Sequence, residues 1–178
     1  MTEIRTPRLI LRRWNDDDLV PLSEINADAE VMRWIGDGST LDLEQTAETI
    51  ERWEEEWDDE GFGIFAVELL ASGELIGAVG LTVPEQKLPE VTHAVGVAWR
   101  LARPFWGQGY GSEAAHATLE FALQDRGLDR VVCVNRAGND ESANVIRKLG
   151  MSDDATVTDP DTGHLITLHS IDLTEYEA

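Results

Sequence analysis

Hydrophobic residues alternate along some stretches of the chain and recur at helical spacing along others. Alternating or continuously apolar runs predict strands over 8–14, 62–70, 74–83, 92–99 and 131–135, and a last hairpin around Asp161–Gly163. Apolar positions three and four residues apart predict helices from an Asn15 cap to about Ala29, and over 40–59, 112–126 and 140–149. This order predicts an α/β (α+β) protein with one mixed sheet and helices on both faces.

Composition indicates an ordinary globular protein. The chain has 178 residues, of which 42% are hydrophobic and 28% charged, and we expect a single domain over 1–178. No apolar run approaches the roughly 18 residues that a membrane span needs, and the N-terminal segment lacks a signal-peptide core. A single cysteine, Cys133, permits no internal disulfide. We therefore expect a cytoplasmic protein without a membrane partner.

The net charge is strongly negative. The sequence has 35 acidic and 14 basic residues, for a formal charge of −21. A polyanion such as nucleic acid would be repelled, so we expect no nucleic-acid partner. Two interpretations of the acidic surface stay open: general solvation, as in salt-adapted proteins, or attraction of a cationic substrate.

Three glycines at every second position, Gly107, Gly109 and Gly111, stand directly before a predicted helix. Without Cβ atoms, such a turn lets consecutive backbone N–H groups point at one anion, and the helix N-terminus favours negative charge. A tight turn alone is the simpler interpretation, but three glycines exceed its needs. The Rossmann pattern fails at Ser112, and the Gly-Lys-Ser/Thr of a P-loop is absent. The segment therefore predicts a site for a pyrophosphate-containing ligand.

Two motifs resemble those of GCN5-related N-acetyltransferases (GNAT). WRLARPFWGQGYGSEA (99–114) resembles motif A, R/Q-x-x-G-x-G/A, with Trp106 in place of Arg or Gln. NDESANVIRKLGM (139–151) resembles N-x-x-S-x-x-V-x-x-K-L-G-[FM] of the RimJ/RimL-like branch. TPRLILRRW and ELIGAVGL also resemble that branch, so the similarity covers nearly the whole chain.

The resemblance implies a GNAT fold and acetyl-CoA as cosubstrate. The expected fold is a mostly antiparallel mixed sheet of about six or seven strands, splayed between the fourth and fifth, with about four helices. Backbone groups of Trp99 and Leu101 are implied to pair with the pantetheine arm, and Asn139 to hydrogen-bond it, although Asn139 is equally plausible as a helix cap. The other implied cofactor-binding residues are Trp106, Gly107, Gln108, Gly109, Tyr110, Gly111 and Ser112, whose amides from Gly107 onwards should hold the pyrophosphate.

The implied reaction is direct attack of a primary amine on the thioester in a ternary complex. Many relatives protonate the thiolate with a tyrosine where this chain has Ile146; Ser142 is the alternative donor of the branch, or else only a residue at a helix start. Relatives often carry a glutamate where this chain has Gly96, so the general base is unassigned. His93 and Glu68 are weak candidates; water-mediated deprotonation or an amine of low pKa would relax the need.

Several predictions concern the remaining residues. The acceptor is either a protein N-terminus or a small amine, and an acyl-CoA-binding module without activity is the alternative function. Cys133 and the tryptophans 34, 53 and 57 are best interpreted as core residues, although the resemblance implies that these tryptophans lie where the acceptor site is shaped. We expect no metal site, and an exposed edge strand allows a homodimer. The cations that could assist CoA binding are Arg100, Arg103, Arg147 and Lys148.

Overall fold

One mixed sheet forms the centre of the computed structural model, which describes residues 2–176. Its strands are β1 (Glu3–Arg5), β2 (Leu9–Arg12), β3 (Ile64–Leu69), β4 (Leu75–Thr82), β5 (Gly96–Leu101), β6 (Arg130–Arg136), β7 (Ser152–Thr158) and β8 (Leu165–Asp172). The helices are α1 (Leu19–Asn26), α2 (Ala29–Met32), α3 (Leu43–Glu60), α4 (Tyr110–Gln124) and α5 (Asp140–Leu149).

The sheet opens between two central strands. The strand order is β1-β2-β3-β4-β5-β6-β8-β7, and every pair is antiparallel except β5 with β6. The parallel pair meets only at Gly96 and Val132, where the Val132 N–H donates to the Val95 carbonyl at 2.9 Å. The other edge of β6 pairs with β8 along the whole strand, from Arg130 to Arg136, so only the edge towards β5 is open. The predicted splay between the fourth and fifth strands is therefore confirmed, shifted by one in number because β1 precedes them.

Helices cover both faces of the sheet, as predicted. On one face, α4 buries Ala114, Leu119 and Phe121 against the strands, and α5 adds Ile146 and Leu149. On the other face, α1 and α2 bury a separate cluster that includes Leu22, Ile25, Val31 and Met32, against which Trp53 of α3 packs. Successive side chains of β5 point to opposite faces, so Val97, Trp99 and Leu101 join the α4 side and Ala98 the α1–α3 side. The cavity described below therefore has two differently built halves.

The predicted elements differ from the structure in several places, and the strand predicted over 92–99 spans Gly96–Leu101. The sheet has eight strands instead of six or seven, because the exposed three-residue strand β1 carries no hydrophobic pattern. The single helix predicted to Ala29 is broken: a 3-10 turn over Asp16–Asp18 leads into α1, and Asp28 is extended and accepts the Glu30 N–H at 3.0 Å, which starts α2. The helix after the glycine turn begins at Tyr110 instead of 112.

Candidate active site

A cavity of about 570 Å³ lies in the gap between β5 and β6. The glycine turn, the start of α5 and the α2–α3 region complete its walls. The predicted site residues that line it are Trp99, Leu101, Trp106, Gly107, Gly109, Tyr110, Gly111, Ser112, Asn139 and Ser142. Gln108 is outside the lining; its side-chain amide donates to the Pro104 carbonyl at 2.8 Å. The structure thus brings together residues up to 43 positions apart in sequence.

The glycine turn presents a row of free backbone donors. Gly107 (φ 72°) and Gly109 (φ 83°) have left-handed backbone conformations that other residues rarely adopt. Within residues 2–176, none of the six N–H groups from 107 to 112 donates to a backbone acceptor, whereas those of Trp106 and Glu113 do. A Cβ at Gly107 would meet no atom within 4 Å. The turn and the N-terminus of α4 therefore form a cradle suited to an anion.

A charged contact that the sequence did not reveal holds this turn in place. Arg8 donates from Nη1 to the Gln108 carbonyl at 2.9 Å and from Nε to Glu113 Oε1 at 2.7 Å. The other oxygen of Glu113 accepts the Thr6 hydroxyl at 2.6 Å. Burial disfavours ionisation of Glu113, but the hydrogen bonds from Thr6 and Arg8 outweigh it and lower the pKa of Glu113. The N-terminal arm is thereby fixed to the first turn of α4.

The open edge of β5 offers backbone groups to the cavity. The Ala102 N–H donates to Ile76 of β4, and the Val95 carbonyl accepts from β6. Because backbone groups alternate along a strand, those of Trp99 and Leu101 point into the gap. The Leu101 carbonyl accepts the Trp106 indole N–H at 2.8 Å. The backbone N–H of Leu101 stays available. This edge can pair with an extended ligand as an added strand would.

Ser142 is positioned by two donors. Its Oγ accepts the Trp99 indole N–H at 3.1 Å and the Asn139 Nδ2 at 3.0 Å. With both lone pairs of the hydroxyl engaged, its own proton is available for donation. Asn139 also caps α5, because its Oδ1 accepts the Ser142 N–H. Ile146, in the position of the relatives' tyrosine, is buried in the core. We refer to Trp99, Leu101, Asn139, Ser142 and the turn 107–112 as the glycine-turn half of the cavity.

Gly96 stands where the family resemblance implies a glutamate, so this position supplies no carboxylate to the cavity. A Cβ there would point towards Pro84, at 3.3 Å. His93 is exposed in the loop before β5, at φ 62°, and is not part of the lining; Glu68 instead binds Arg12 at 2.9 Å. Glu56 of α3 accepts the Val83 N–H at 3.3 Å, behind the cavity wall, and burial raises its pKa. The sequence does not single out Glu56, because it is one of many acidic residues on α3.

The opposite half of the cavity contains a half-buried arginine. Arg100 donates from Nη1 to Asn26 Oδ1 at 2.8 Å, and its guanidinium lies 5.6 Å from the Trp53 ring centre. Trp57 is a core residue, as expected, and donates to the Ile64 carbonyl. The same prediction is wrong for Trp34 and Trp53, which are half-buried and line the cavity. We call Trp34, Trp53, Arg100 and the Asn26 that binds it the Arg100 half.

The four cations proposed to assist the cofactor occupy different environments. Arg103 forms an ion pair with Asp28, and Arg147 donates to Asn144 Oδ1. Lys148 lines the cavity, whereas Arg100 belongs to the opposite half. Lys148 is thus the cavity-lining cation of this group that lies on α5, the helix that also carries Ser142.

Cys133 is buried on β6, as expected for a core residue, and burial raises the pKa of its thiol to about 12. Among residues 2–176, no group of three or more His, Cys, Asp or Glu side chains is arranged to hold a metal ion. No helix in the same range is long and apolar enough to cross a membrane.

Comparison with known proteins identifies relatives. The family model described as "Acetyltransferase (GNAT) domain" matches residues 8–152. The protein named "Uncharacterized protein YkkB" of Bacillus subtilis (strain 168) is 30% identical over 159 residues, covering 88% of each chain. "Uncharacterized N-acetyltransferase YnaD" of the same organism is 28% identical over 148 residues, covering 83% of this chain and 81% of its own.

A solved structure of RimL, described as a ribosomal L7/L12 alpha-N-protein acetyltransferase in complex with coenzyme A, has the same fold. Its TM-score is 0.79 at 16% identity, covering 96% of this chain and 98% of that one. Because this identity is low, the likeness shows the fold alone. The RimJ/RimL-like branch therefore stays a prediction.

Proposed function

Because the chain belongs to the GNAT family of acetyltransferases, we propose that it transfers the acetyl group of acetyl-CoA to a primary amine. The observation that carries this proposal is the row of six free N–H groups over 107–112, beside the open edge of β5. The first feature suits a pyrophosphate, and the second suits an extended amide-containing arm. Together they match the two chemically distinct parts of coenzyme A.

The cradle is necessary because the protein as a whole repels its cosubstrate. Coenzyme A is strongly anionic, and the formal charge of the chain is −21. Local donors must therefore outweigh a repulsive long-range field. Fixed backbone N–H groups can do so because they are already oriented before the ligand arrives.

When bound, acetyl-CoA supplies an activated acyl carbon. The unprotonated amine attacks this carbon, the new C–N bond forms, and the C–S bond breaks. The hydroxyl of Ser142, with its oxygen already held by Trp99 and Asn139, then gives its proton to the departing sulfur and regains, through water, the proton that the newly acylated nitrogen loses. Without a carboxylate at Gly96, the amine loses its proton to water or enters already neutral. An α-amino group, with a pKa near 8, meets this condition more easily than a lysine.

The proposal is tested by following CoA release with a thiol reagent across primary amines and N-terminal peptides. We expect turnover with at least one acceptor, and acetylation of that acceptor by mass spectrometry. Silence with every acceptor, although acetyl-CoA raises the melting temperature, would favour a non-catalytic acyl-CoA-binding module. That alternative has one specific observation in its favour, the missing carboxylate at Gly96.

A further inference from the structure

Arg100 is a half-buried cation for which residues 2–176 provide no anionic partner. Its Nε has less than 1 Å² of exposed surface and no hydrogen-bond partner in the described part of the chain. Its one hydrogen bond there goes from Nη1 to the neutral Asn26. The chain has 35 acidic residues, yet no carboxylate within residues 2–176 forms an ion pair with Arg100. A buried charge left uncompensated is costly, so such an arrangement needs a reason.

Three elements of the fold hold the arginine in place without neutralising it. Asn26 of α1 is fully buried and donates from Nδ2 to the Thr46 hydroxyl of α3 at 3.1 Å. That bond turns the Asn26 oxygen towards Arg100 of β5. The Trp53 ring, 5.6 Å away, offers the guanidinium only a weak cation–π contact. The arrangement fixes the cation on the cavity wall and leaves most of its donors unused.

The location of Arg100 separates it from the cosubstrate site. Its side chain points to the α1–α3 face of the sheet, whereas Trp99 and Leu101, on either side of it in sequence, point to the α4 face with the glycine turn. Burial, followed by the charge of Arg52, lowers the pKa of Arg100 to about 10, which still leaves it protonated at neutral pH. The exposed carboxylates of Glu30 and Glu85 also line the cavity and would tolerate an ammonium group.

We propose that Arg100 binds a carboxylate carried by the acceptor, so that the acceptor is an amine with a nearby carboxylate. The planar guanidinium fits a carboxylate through two parallel hydrogen bonds, and a neutral amide offers only one acceptor. Two sources supply this chemistry: a free amino acid, or a peptide whose N-terminal residue is acidic. The inference rests on the proposed function, since it concerns the acceptor of that reaction.

The test compares acceptors that differ only in one carboxylate. One arm pairs free amino acids with their α-carboxamides; the other pairs C-terminally amidated peptides that begin with Glu or Asp with those that begin with Gln or Asn. We measure kcat/KM for acetylation and, separately, binding to the CoA-saturated protein by calorimetry. In one arm, kcat/KM should be about tenfold to a hundredfold higher for the acceptor that carries the carboxylate than for its amide counterpart. This is the range of a charge-assisted hydrogen bond.

Variants assign the preference to the residue. Arg100→Gln should reduce the preference to near onefold and leave acetyl-CoA affinity unchanged; Arg100→Lys should keep part of it. Arg52→Gln is the matched control, because Arg52 is an exposed arginine on the same side whose charge reaches Arg100. This control should keep the full preference.

The outcomes separate the two proposals. No carboxylate preference in either arm, or a preference that persists in Arg100→Gln, overturns the inference and leaves the acetyltransferase proposal standing. Carboxylates that bind through Arg100 while no amine is acetylated support the inference and count against the proposed function.

Discussion

The two halves of the cavity recognise charge by different means. The glycine-turn half uses backbone N–H groups from one short segment, 107–112, together with the edge of β5. The Arg100 half uses side chains from α1, α3 and β5, joined through Asn26. Backbone donors carry no net charge and need no counterion, whereas a half-buried guanidinium without an anionic partner gains from binding an anion. The first half is therefore complete in the free protein, and the second is completed by its acceptor.

The largest effect should follow from a charge placed in the glycine-turn half. Gly109→Asp puts a carboxylate beside the free N–H groups, where like-charge repulsion opposes the pyrophosphate. We expect acetyl-CoA affinity to fall by at least about a hundredfold while the fold is kept. Calorimetric titration measures the affinity, and circular dichroism checks the fold.

Gly109→Asn separates charge from backbone strain. Both Asn and Asp tolerate the left-handed conformation that Gly109 adopts, at φ 83°. The Gly109→Asn variant should therefore bind acetyl-CoA at least about tenfold more tightly than the Gly109→Asp variant does. Wild-type affinity in Gly109→Asp would contradict the assignment of the cradle.

Stability should respond differently to the loss of two half-buried arginines. Arg12 binds the buried Asp18 through two hydrogen bonds, at 2.8 and 2.9 Å. Arg12→Met leaves that carboxylate uncompensated and should lower the free energy of unfolding by about 3 kcal/mol. Arg100→Met removes a cation that has no anionic partner but also leaves the buried Asn26 oxygen without its donor, so the loss should be smaller, about 1 kcal/mol.

Urea unfolding measures both free energies. A loss in Arg100→Met as large as that in Arg12→Met would show that Arg100 serves to stabilise the fold, which would contradict its assignment to ligand binding.

Removing the Ser142 hydroxyl should slow turnover without weakening cosubstrate binding. Ser142→Ala deletes the proposed proton donor, and we expect kcat to fall by about tenfold to a hundredfold. The dissociation constant of acetyl-CoA should change by less than about threefold, since the 107–112 donors are untouched. An unchanged kcat would leave Ser142 as an acceptor for Trp99 and Asn139 alone.

The smallest effect concerns the anchor of the glycine turn. The pKa of Glu113 is lowered in the folded state, so its contribution to stability is present above its unfolded pKa, near 4.3, and is lost as the pH falls. Glu113→Gln should therefore be less stable than wild type at pH 7, by less than about 1 kcal/mol because the site is partly exposed. Urea unfolding over a pH series from 7 downwards should show that this difference shrinks as the pH falls below the unfolded pKa. A difference that does not shrink with falling pH would contradict the ionic anchor.

The two halves also differ in how far the sequence reveals them. Gly107 and Gly109 adopt conformations that glycine signals directly, so the turn was predictable from the residues. The GNAT fold and an N-acetyltransferase were implied by the resemblance of two motifs, and the family match confirms both. The contact between Arg8 and Glu113 joins residues 105 positions apart, and that between Asn26 and Arg100 joins residues 74 apart. No local pattern marks such pairs. The break at Asp28 was missed for another reason. The helical spacing of apolar residues continues through this position, although the Asp28 side chain caps a new helix, α2.

Titration of the wild-type protein with acetyl-CoA alone tests the central claim most directly, because it needs no knowledge of the acceptor. We predict one site per chain with a micromolar to submillimolar dissociation constant. A hundredfold excess over that constant should add about 2.7 kcal/mol to the free energy of unfolding and raise the melting temperature. Absence of both binding heat and a thermal shift would contradict the assignment of the cavity to acetyl-CoA.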